Sequence, residues 1–594
     1  MSPRPTPLRG VLAGASRALL LSSAFVLLDL GLRGVLALLG GARLQASDLS
    51  FSGLILALWA LPALVLGGLA GALLRPSGPP LGRPALARAA WLLPLGGLAL
   101  GLFGPSGRED NLSREYEAPP TAAASPEAPD VLLLTLDTVR ADHLGCYGYD
   151  RARTPVLDAL AEEGVLYERA FSASSSTQPS HSSLFTGRFL PGHGVVKNGD
   201  FRLAPSMRTL AERFQELGYY TGAVVSSFVL DRQFGLGQGF AWYDDRISEE
   251  EPSPLPRPGK DFHRKVARSS LALAGLRAVG LSSWMTESRN ENLARDAFQT
   301  RQAAEAALAA APGDRPAFFW VHWWEAHDPY DPPAEWMPEP DPGALSPAVR
   351  LPESLTREEL ARRIAAYDGE IALLDHELGP VLEAWKERAR RRGRPWIIAV
   401  TADHGEGLYD HGVELHGREV WDSTLHVPLI LAGSGLTGGR AVGDPVSNID
   451  LLPTLLELAG GQTEAEMDAR SLLPLASERA PAVQTGRVLY HEAWWTRGSR
   501  AEQANKAWRK DGWKYLSLVG QEGRPEAGPE EALFQYRGDP YEQTDLLEAE
   551  PALVERLRKE LASWLAALPP SPAEVLGRSE ERAANLAALG YADN

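Results

Sequence analysis

The chain contains one cysteine, Cys146, among its 594 residues. A single thiol excludes an internal disulfide framework and a zinc site built from several cysteines. Lysine and arginine, 59 residues together, are fewer than aspartate and glutamate, which total 76. The net charge of −17 argues against a general nucleic-acid binder, because phosphate recognition needs an excess of positive charge. The hydrophobic fraction of 44% excludes a chain that is disordered throughout.

Residues 1–105 lack lysine and hold only two acidic residues, against eight arginines. Within this region, 51–74 is a 24-residue stretch without a charge, which is long enough to cross a bilayer as a helix. The apolar stretches 11–41 and 89–104 are two further candidates. We therefore predict a membrane anchor of about three transmembrane helices over 1–105. The alternative for the first stretch is a cleaved signal peptide, which the two later apolar stretches disfavour.

Arginines flank the predicted spans unevenly. Arg4 and Arg9 precede the first span, and three more arginines lie between the second and the third. Because positive residues favour the cytoplasmic side, the amino terminus is predicted to be cytoplasmic. Three spans of the inner membrane then place everything after residue 105 in the periplasm or outside the cell. A linker rich in Pro and Ala is expected over 106–129.

Buried-strand patterns alternate with amphipathic-helix patterns from residue 130 onward. Strands are predicted at 131–137, 221–229, 317–322 and 396–401, and helices at 154–163 and 206–217. This alternation predicts an α/β fold with a helix-covered sheet, in which functional groups collect at the carboxyl ends of the strands. The Arg- and Ala-rich stretch 246–315 interrupts the alternation and is predicted to be a helical insertion.

Residues that suit metal binding or catalysis follow several of these segments. Asp137 ends the first strand and is either a hard-metal ligand or a helix N-cap. Thr177 fits an N-cap, and the same geometry suits a hydroxyl at the positive end of a helix, where an oxyanion would be held; the two interpretations are compatible. Asp403 and His404 follow another strand, and Gly405 permits a turn through which both reach one cation. Further histidines are either site residues or solvated loop residues: His322, His327, His411 and His416.

Together these segments resemble the sulfatase family of the alkaline phosphatase superfamily. The resemblance recurs in order over most of 130–570, in LDTVRADHLGCYGY, TQPSHSSLFTG, EAHDPYDPP and TADHGE. It implies an alkaline-phosphatase-like sulfatase fold, with a central mixed sheet in a catalytic domain over 130–485 and a small carboxy-terminal subdomain and tail over 486–594. The implied chemistry is cleavage or transfer of a sulfate or phosphate ester group with one divalent metal ion. Its identity among Mn, Zn, Ca and Mg stays open.

The resemblance also implies roles for individual side chains. The expected metal ligands are Asp137, Thr177, Asp403 and His404, and Thr177 is also the expected nucleophile. The side chains expected to face the ester oxygens or the leaving group are His181, His327 and His416. Two candidates for substrate binding are Arg418 and Asn198. Arg418 is equally well explained as an ordinary surface arginine, and Asn198 as part of an Asn-Gly turn.

Several positions depart from the family pattern. Typical sulfatases carry Cys or Ser at the nucleophile position, which is oxidised to formylglycine, and an Arg four residues later; here these are Thr177 and His181. Thr138 replaces the usual second Asp, and Ser226 and Ser227 stand where many sulfatases have Lys and His. A threonine cannot become formylglycine. The pattern is similar to that of membrane-anchored phosphoethanolamine transferases and lipoteichoic acid synthases, and it favours phosphoryl chemistry.

These motifs are compatible with three functions. The first is a membrane-anchored enzyme that cleaves or transfers a phosphate or sulfate ester through a Thr nucleophile, on an envelope lipid or glycan. The second is a hydrolytic sulfatase that works without formylglycine. The third is an inactive, substrate-sensing relative. Retention of all four expected metal ligands disfavours the third, because buried like charges cost stability without a cation.

Overall fold

The computed structural model describes residues 124–125, 127–247, 293–464, 467–476, 486–495, 503–518 and 531–577, with isolated positions between 582 and 589. The predicted membrane anchor at 1–105, most of the predicted linker, and 248–292 of the predicted insertion lie outside the described residues. Among the described residues, no helix combines the length and hydropathy that a membrane span requires.

The strands fall into one large sheet and three smaller ones. In chain order they are β1 (Asp130–Leu136), β2 (Val165–Tyr167), β3 (Ala170–Phe171), β4 (Phe201–Arg202), β5 (Tyr220–Val224), β6 (Trp242–Asp244), β7 (Ala317–Trp323), β8 (Trp396–Ala402), β9 (His426–Val427), β10 (Leu429–Gly433), β11 (Arg440–Val442), β12 (Val446–Ser447), β13 (Val488–Trp495), β14 (Gln503–Lys510), β15 (Trp513–Ser517), β16 (Glu531–Phe534) and β17 (Glu574–Val575). The large sheet has the order β11-β2-β10-β8-β1-β7-β5-β6. Because β1 is parallel to β7 and β8 while β10 is antiparallel to β8, the sheet is mixed, as expected.

Strand β1 lies inside this sheet, and all seven of its residues are buried. Its sequence, DVLLLTL, is almost entirely apolar, which suits a parallel strand covered on both faces. The register pairs Leu136 of β1 with Trp323 of β7 and with Ala402 of β8. The three strands therefore end level with one another, and the residues that follow, Asp137 and Asp403, leave the sheet at the same edge.

Helices alternate with these strands along the chain. In chain order they are α1 (Pro155–Glu163), α2 (Thr177–Thr186), α3 (Leu190–His193), α4 (Leu210–Glu216), α5 (Ala297–Ala310), α6 (Arg357–Arg391), α7 (Asp422–Leu425), α8 (Leu451–Leu458), α9 (Leu473–Ala476) and α10 (Pro551–Ala567). Helix α1 packs against β2 and β10, and α5 packs against β5 and β7. The 35-residue helix α6 contacts both α1 and α5. The helix α5 lies in the part of the predicted insertion that the structure describes, and the insertion as a whole stays a prediction.

Two predicted elements differ from the structure by more than one residue at an end. Helix α4 begins at Leu210 because Thr209 caps it: the Thr209 hydroxyl accepts the Glu212 N–H at 3.2 Å, and the Glu212 carboxylate accepts the Thr209 N–H at 2.7 Å. Strand β5 ends at Val224, five residues before the predicted end at 229. The chain leaves the sheet there, and the Ser226 hydroxyl lies 2.7 Å from that of Thr300 in α5.

The antiparallel sheet β13-β14-β15-β16 lies in the carboxy-terminal part of the chain. Helix α10 packs against β15, and Tyr490, Trp508, Tyr515 and Leu557 share one buried apolar cluster. The same cluster includes Leu190 of α3, so this sheet is joined to the region that follows α2. The predicted boundary at residue 485 stays a prediction.

Candidate active site

Two carboxylates and one imidazole converge where β1 and β8 end. Asp137 follows β1, and Asp403 and His404 follow β8. One ligand atom from each of the three lies within 4.8 Å of the other two, and all three residues are buried. The structure thus brings together three of the four residues expected to bind a metal.

The hydrogen bonds of these groups leave several inward-facing atoms without a protein partner. Oδ1 of Asp403 accepts the backbone N–H of Thr138 at 3.2 Å and that of His404 at 2.8 Å. Oδ2 of Asp403 and both carboxylate oxygens of Asp137 have no hydrogen-bond partner among the described residues. Nδ1 of His404 donates to the carbonyl oxygen of Gly405 at 2.9 Å, which leaves the lone pair on Nε2. Buried acceptors that face one another in this way fit a bound cation.

Distances and ionisation support the same conclusion. Nε2 of His404 lies 3.8 Å from Asp137 Oδ1 and 3.5 Å from Asp403 Oδ2. Burial, with the charge of Asp403 nearby, raises the pKa of Asp137 well above its usual value. Burial also raises the pKa of Asp403 to about 6 and lowers the pKa of His404 to about 3. A divalent cation favours ionised carboxylates and a neutral imidazole, so these residues fit the metal that the resemblance implies.

Thr177 is the first residue of α2, and its hydroxyl faces the same cluster. Its Oγ1 lies 3.3 Å from Nε2 of His404, and the whole residue is buried. The N-cap position of α2 belongs to Ser176, so the N-cap interpretation of Thr177 is wrong. The N-cap alternative for Asp137 is also wrong, because Arg140 is the N-cap of the 3-10 turn that follows β1.

Asn198 holds the start of the helix that carries Thr177. Its Oδ1 accepts the backbone N–H of Gln178 at 2.9 Å. The Gln178 side chain accepts the N–H of Gly199 at 2.7 Å, which ties the Asn-Gly turn to the helix. One of the amides expected to be open to an oxyanion is therefore already bonded to Asn198. The substrate contact of Asn198 stays a prediction.

His181 lies one helical turn after Thr177, with its ring directed into the core. Its Nδ1 donates to the Thr177 carbonyl at 2.8 Å, and its Nε2 lies 3.0 Å from Thr135 Oγ1. Nε1 of Trp320 donates to the same hydroxyl at 2.8 Å, so the Thr135 proton is directed at His181. Both ring nitrogens are thus bonded to the protein. In this geometry His181 supports the backbone of Thr177.

A second group of possible metal ligands consists of His181, His322 and Asp403. This group suits a metal less well than the first, because both nitrogens of His181 already have hydrogen-bond partners. The Nδ1 of His322 likewise accepts the backbone N–H of Ser226 at 3.3 Å. The first group therefore remains the better candidate for the metal centre.

His327 and His416 form an imidazole pair beside His404. The ring centres of His327 and His416 are 4.9 Å apart, and those of His416 and His404 are 4.5 Å apart. Nδ1 of His327 donates to the Asp328 carbonyl at 2.7 Å, and Nδ1 of His416 donates to the Glu406 carboxylate at 3.2 Å. Burial lowers the pKa of His327 to about 3 and that of His416 to about 4. Both rings are therefore neutral at pH 7.

These residues lie in the part of the chain that matches a known protein family. The family described as "Sulfatase" matches residues 129–461, which is more than half of the chain. The chain belongs to the sulfatase family. A second match, to the C-terminal region of N-sulphoglucosamine sulphohydrolase, covers residues 409–568. Membership in this family confirms the expected alkaline-phosphatase-like α/β fold, and it confirms that the protein is a sulfatase-like ester hydrolase.

Individual sulfatases and related enzymes are similar over most of their length. An arylsulfatase from Clostridium perfringens is 26% identical over 457 residues, which cover 71% of this chain and 91% of the relative. An uncharacterized sulfatase of Escherichia coli strain K12 is 24% identical and covers 60% of this chain and 73% of the relative. A solved phosphonate monoester hydrolase from Silicibacter pomeroyi has a TM-score of 0.55 at 20% identity, covering 76% of this chain and 100% of that chain. This last likeness shows the shared fold.

Glu406 and Tyr330 belong to the site of this sulfatase-family chain, although the motifs do not single them out. Glu406 is fully buried and accepts the Tyr330 hydroxyl at 3.0 Å. Burial raises the pKa of Glu406. Its carboxylate sets which nitrogen of His416 carries the proton. The available signal is its place at the end of TADHGE, directly after the candidate metal ligands Asp403 and His404 and after Gly405.

Arg418 is partly exposed, at the edge of the segment that follows His416. Its backbone carbonyl accepts the Asn505 side-chain amide of β14 at 2.7 Å, and Glu419 Oε2 accepts the same amide group at 2.9 Å. These bonds tie the segment to the carboxy-terminal sheet. The role of Arg418 in substrate binding stays a prediction.

Proposed function

We propose that this protein is a divalent-metal-dependent enzyme that cleaves or transfers a phosphate ester group with Thr177 as its nucleophile. The observation that carries the proposal is the Thr177 hydroxyl, 3.3 Å from His404 Nε2; the same nitrogen lies 3.8 Å from Asp137 Oδ1 and 3.5 Å from Asp403 Oδ2, which have no hydrogen-bond partner in the part of the chain that the structure describes. The preferred substrates are phosphodiesters or phospholipid head groups. Sulfate-ester hydrolysis at the same site is the second candidate, because the chain belongs to the sulfatase family and is 26% identical to an arylsulfatase.

Asp137, Asp403, His404 and the Thr177 hydroxyl would hold the metal. When bound, a divalent cation lowers the pKa of a hydroxyl and neutralises charge that builds on the non-bridging oxygens of the ester. Two carboxylates with an imidazole suit Zn²⁺ or Mn²⁺ better than Ca²⁺, which prefers an all-oxygen shell.

The protein's own residues supply the nucleophile and a proton acceptor. Thr177 Oγ1, after its proton has passed to solvent, attacks phosphorus in line with the departing ester oxygen. The bond from phosphorus to that oxygen breaks, the departing oxygen takes up a proton from solvent, and a phosphothreonine forms. Water or an acceptor hydroxyl then attacks the same phosphorus, the bond from phosphorus to Thr177 Oγ1 breaks, and Oγ1 takes up a proton from solvent. His416 accepts the attacking group's proton on Nε2, since the ring is neutral and its Nδ1–H is held by Glu406.

The chemistry of threonine favours phosphorus over sulfur. Formylglycine forms a geminal diol that expels sulfate by carbon–oxygen cleavage, which avoids attack on a crowded sulfur. Thr177 has a single oxygen on its β-carbon and lacks this exit. A covalent ester on Thr177 must be resolved by a second in-line displacement at the central atom, a route that suits phosphoryl transfer.

We also infer that the protein is anchored in the inner membrane with its catalytic domain in the periplasm or outside the cell. The uncharged stretch 51–74 and the uneven arginines of 1–105 support this arrangement. The substrate is then an envelope lipid or glycan, because such a molecule is present on that side of the membrane.

The test is a paired assay of the full-length protein in detergent. Matched nitrophenyl phosphodiester and nitrophenyl sulfate are supplied with Mn²⁺, Zn²⁺, Ca²⁺ or Mg²⁺ in turn. We expect turnover of the phosphodiester and a loss on the order of 100-fold or more in Thr177→Ala. Mass spectrometry of the wild-type peptide should detect a phosphate on Thr177.

The matched control is Thr186→Ala in the same helix. The Thr186 hydroxyl bonds to the Ser182 carbonyl at 2.7 Å and lies at the other end of α2, so this variant should keep its activity. A preference for the sulfate that disappears in Thr177→Ala would establish the second candidate function. Unchanged phosphodiester turnover in Thr177→Ala would show that another residue is the nucleophile.

A further inference from the structure

His322 lies on β7 next to the candidate metal ligands, and the sequence motifs assign it no defined role. It is fully buried. Its Nδ1 accepts the backbone N–H of Ser226 at 3.3 Å. Because an imidazole nitrogen that accepts a proton donor carries none itself, the ring proton of His322 is on Nε2.

The Nε2 of His322 faces Asp137. It lies 3.4 Å from Asp137 Oδ2, and neither atom has a hydrogen-bond partner within the described ranges. The other oxygen of Asp137, Oδ1, lies 3.8 Å from Nε2 of His404. The two carboxylate oxygens therefore face different neighbours, one a proton donor and the other a metal ligand candidate.

We infer that His322 is a positioning residue for the metal centre: its Nε2–H donates to Asp137 Oδ2 and leaves Oδ1 to bind the cation. The inference rests on the metal site of the proposed function. In many metal sites a hydrogen bond to the ligand fixes the ligand's orientation and tunes its affinity. Here β1 supplies one carboxylate only, since Thr138 stands at the next position, so the orientation of Asp137 decides how well the site binds.

The backbone explains why Ser226 can make this contact. Strand β5 ends at Val224, and the Ser226 hydroxyl lies 2.7 Å from that of Thr300 in α5. Arg295, just before α5, holds the same segment, since its backbone N–H donates to the Ser226 carbonyl at 3.0 Å. The N–H of Ser226 is thus held in place, and it fixes which nitrogen of His322 carries the proton.

The experiment measures metal affinity, not turnover. Full-length wild type, His322→Ala and His322→Gln compete with a chelating dye for Zn²⁺ and Mn²⁺. We expect His322→Ala to bind each metal roughly 10–100-fold more weakly. His322→Gln should recover most of that loss, because its amide places an N–H near the position of Nε2. His376→Ala, on an exposed part of α6, is the matched control and should bind as wild type does.

X-ray absorption of the Zn²⁺-loaded wild type provides a measurement that needs no variant. One imidazole in the metal shell, that of His404, is the expected result. Two imidazoles would overturn the inference, because His322 would then be a ligand. Wild-type affinity in His322→Ala, or equal weakness of the Ala and Gln variants, would overturn it as well. A wild type that binds neither metal would instead refute the metal site on which the inference rests.

Discussion

Replacement of Asp403 by Asn distinguishes the effect of this carboxylate on metal binding from its effect on the stability of the fold. Oδ1 of Asp403 accepts the N–H groups of Thr138 and His404, while Oδ2 has no partner among the described residues. An asparagine oxygen can keep the two backbone bonds, and its amide replaces the unpartnered oxygen. The substitution therefore removes one negative charge and one proposed metal ligand with little change in shape. We expect weaker metal binding together with a more stable metal-free protein.

The magnitude follows from the pKa of Asp403. Burial raises it from 3.8 to about 6, and one pKa unit corresponds to about 1.4 kcal/mol, so ionised Asp403 destabilises the metal-free fold by roughly 3 kcal/mol. Below pH 3.8 the carboxyl is protonated in both the folded and the unfolded state, so this destabilisation is absent there. The destabilisation grows as pH rises from about 4 to about 6, and it reaches its full size above pH 6. In chelator at pH 8, Asp403→Asn should therefore melt several degrees higher than wild type, and at pH 3.5 the two should melt together.

The assay is thermal unfolding of both proteins in chelator and in excess metal, across this pH range. Added metal should raise the melting temperature of wild type but not that of Asp403→Asn, because a ligand stabilises the state that binds it. Asp244→Asn is a control for which we expect the opposite change in stability. Burial opposes ionisation of Asp244, yet Arg246 and Arg295 hold its pKa below the usual value, so loss of its charge should destabilise the protein at pH 8. Equal or lower stability of Asp403→Asn in chelator at pH 8, with unchanged metal affinity, would refute the reasoning.

Three further predictions use different parts of the chain. A reporter fused at Ser125 should be active only outside the cytoplasm and one at Gly78 only inside; the reverse pattern at both sites would contradict the three-span topology. Thr135→Val should lower the free energy of unfolding by about 1–3 kcal/mol in urea titrations, because it leaves His181 Nε2 unpaired, whereas Thr135→Ser should not. Glu406→Gln should lower kcat for the preferred nitrophenyl ester with little change in KM, whereas a raised KM with unchanged kcat would show that Glu406 contributes to substrate binding instead.

The strand ends could be predicted because their signal is local. The run VLLLTLD reads as a buried parallel strand that ends in a carboxylate, and the structure places β1 inside the sheet with Asp137 at its end. Asp403 follows β8 in the same way. Since parallel neighbours end at one edge of a sheet, convergence of these two residues follows from the pattern alone. Their register, which makes the strands end level, required the structure.

Side chains that act through backbone contacts were not predictable in this way. The predicted strand 221–229 places Ser226 and Ser227 inside the sheet, whereas β5 ends at Val224 and Ser226 turns toward His322. The apolar residues Val225 and Val229 extend the strand pattern past the point where the chain leaves the sheet. Both are buried, because they pack in the core beyond the strand. Burial alone therefore does not mark where a strand ends.

The histidines show why residue type identifies the site but not the roles within it. In three rings Nδ1 donates to an oxygen of the protein and leaves Nε2 as the acceptor; these are His404, His327 and His416. In His322 a backbone N–H reverses the arrangement, and Nε2 is the donor. A ring with an Nε2 lone pair can bind a metal or accept a proton, whereas a ring with an Nε2–H can only donate to a ligand such as Asp137. The choice is made by a neighbouring carbonyl, carboxylate or amide that the fold supplies, and for this reason the same residue type can take the proposed roles of ligand, base and support at one site.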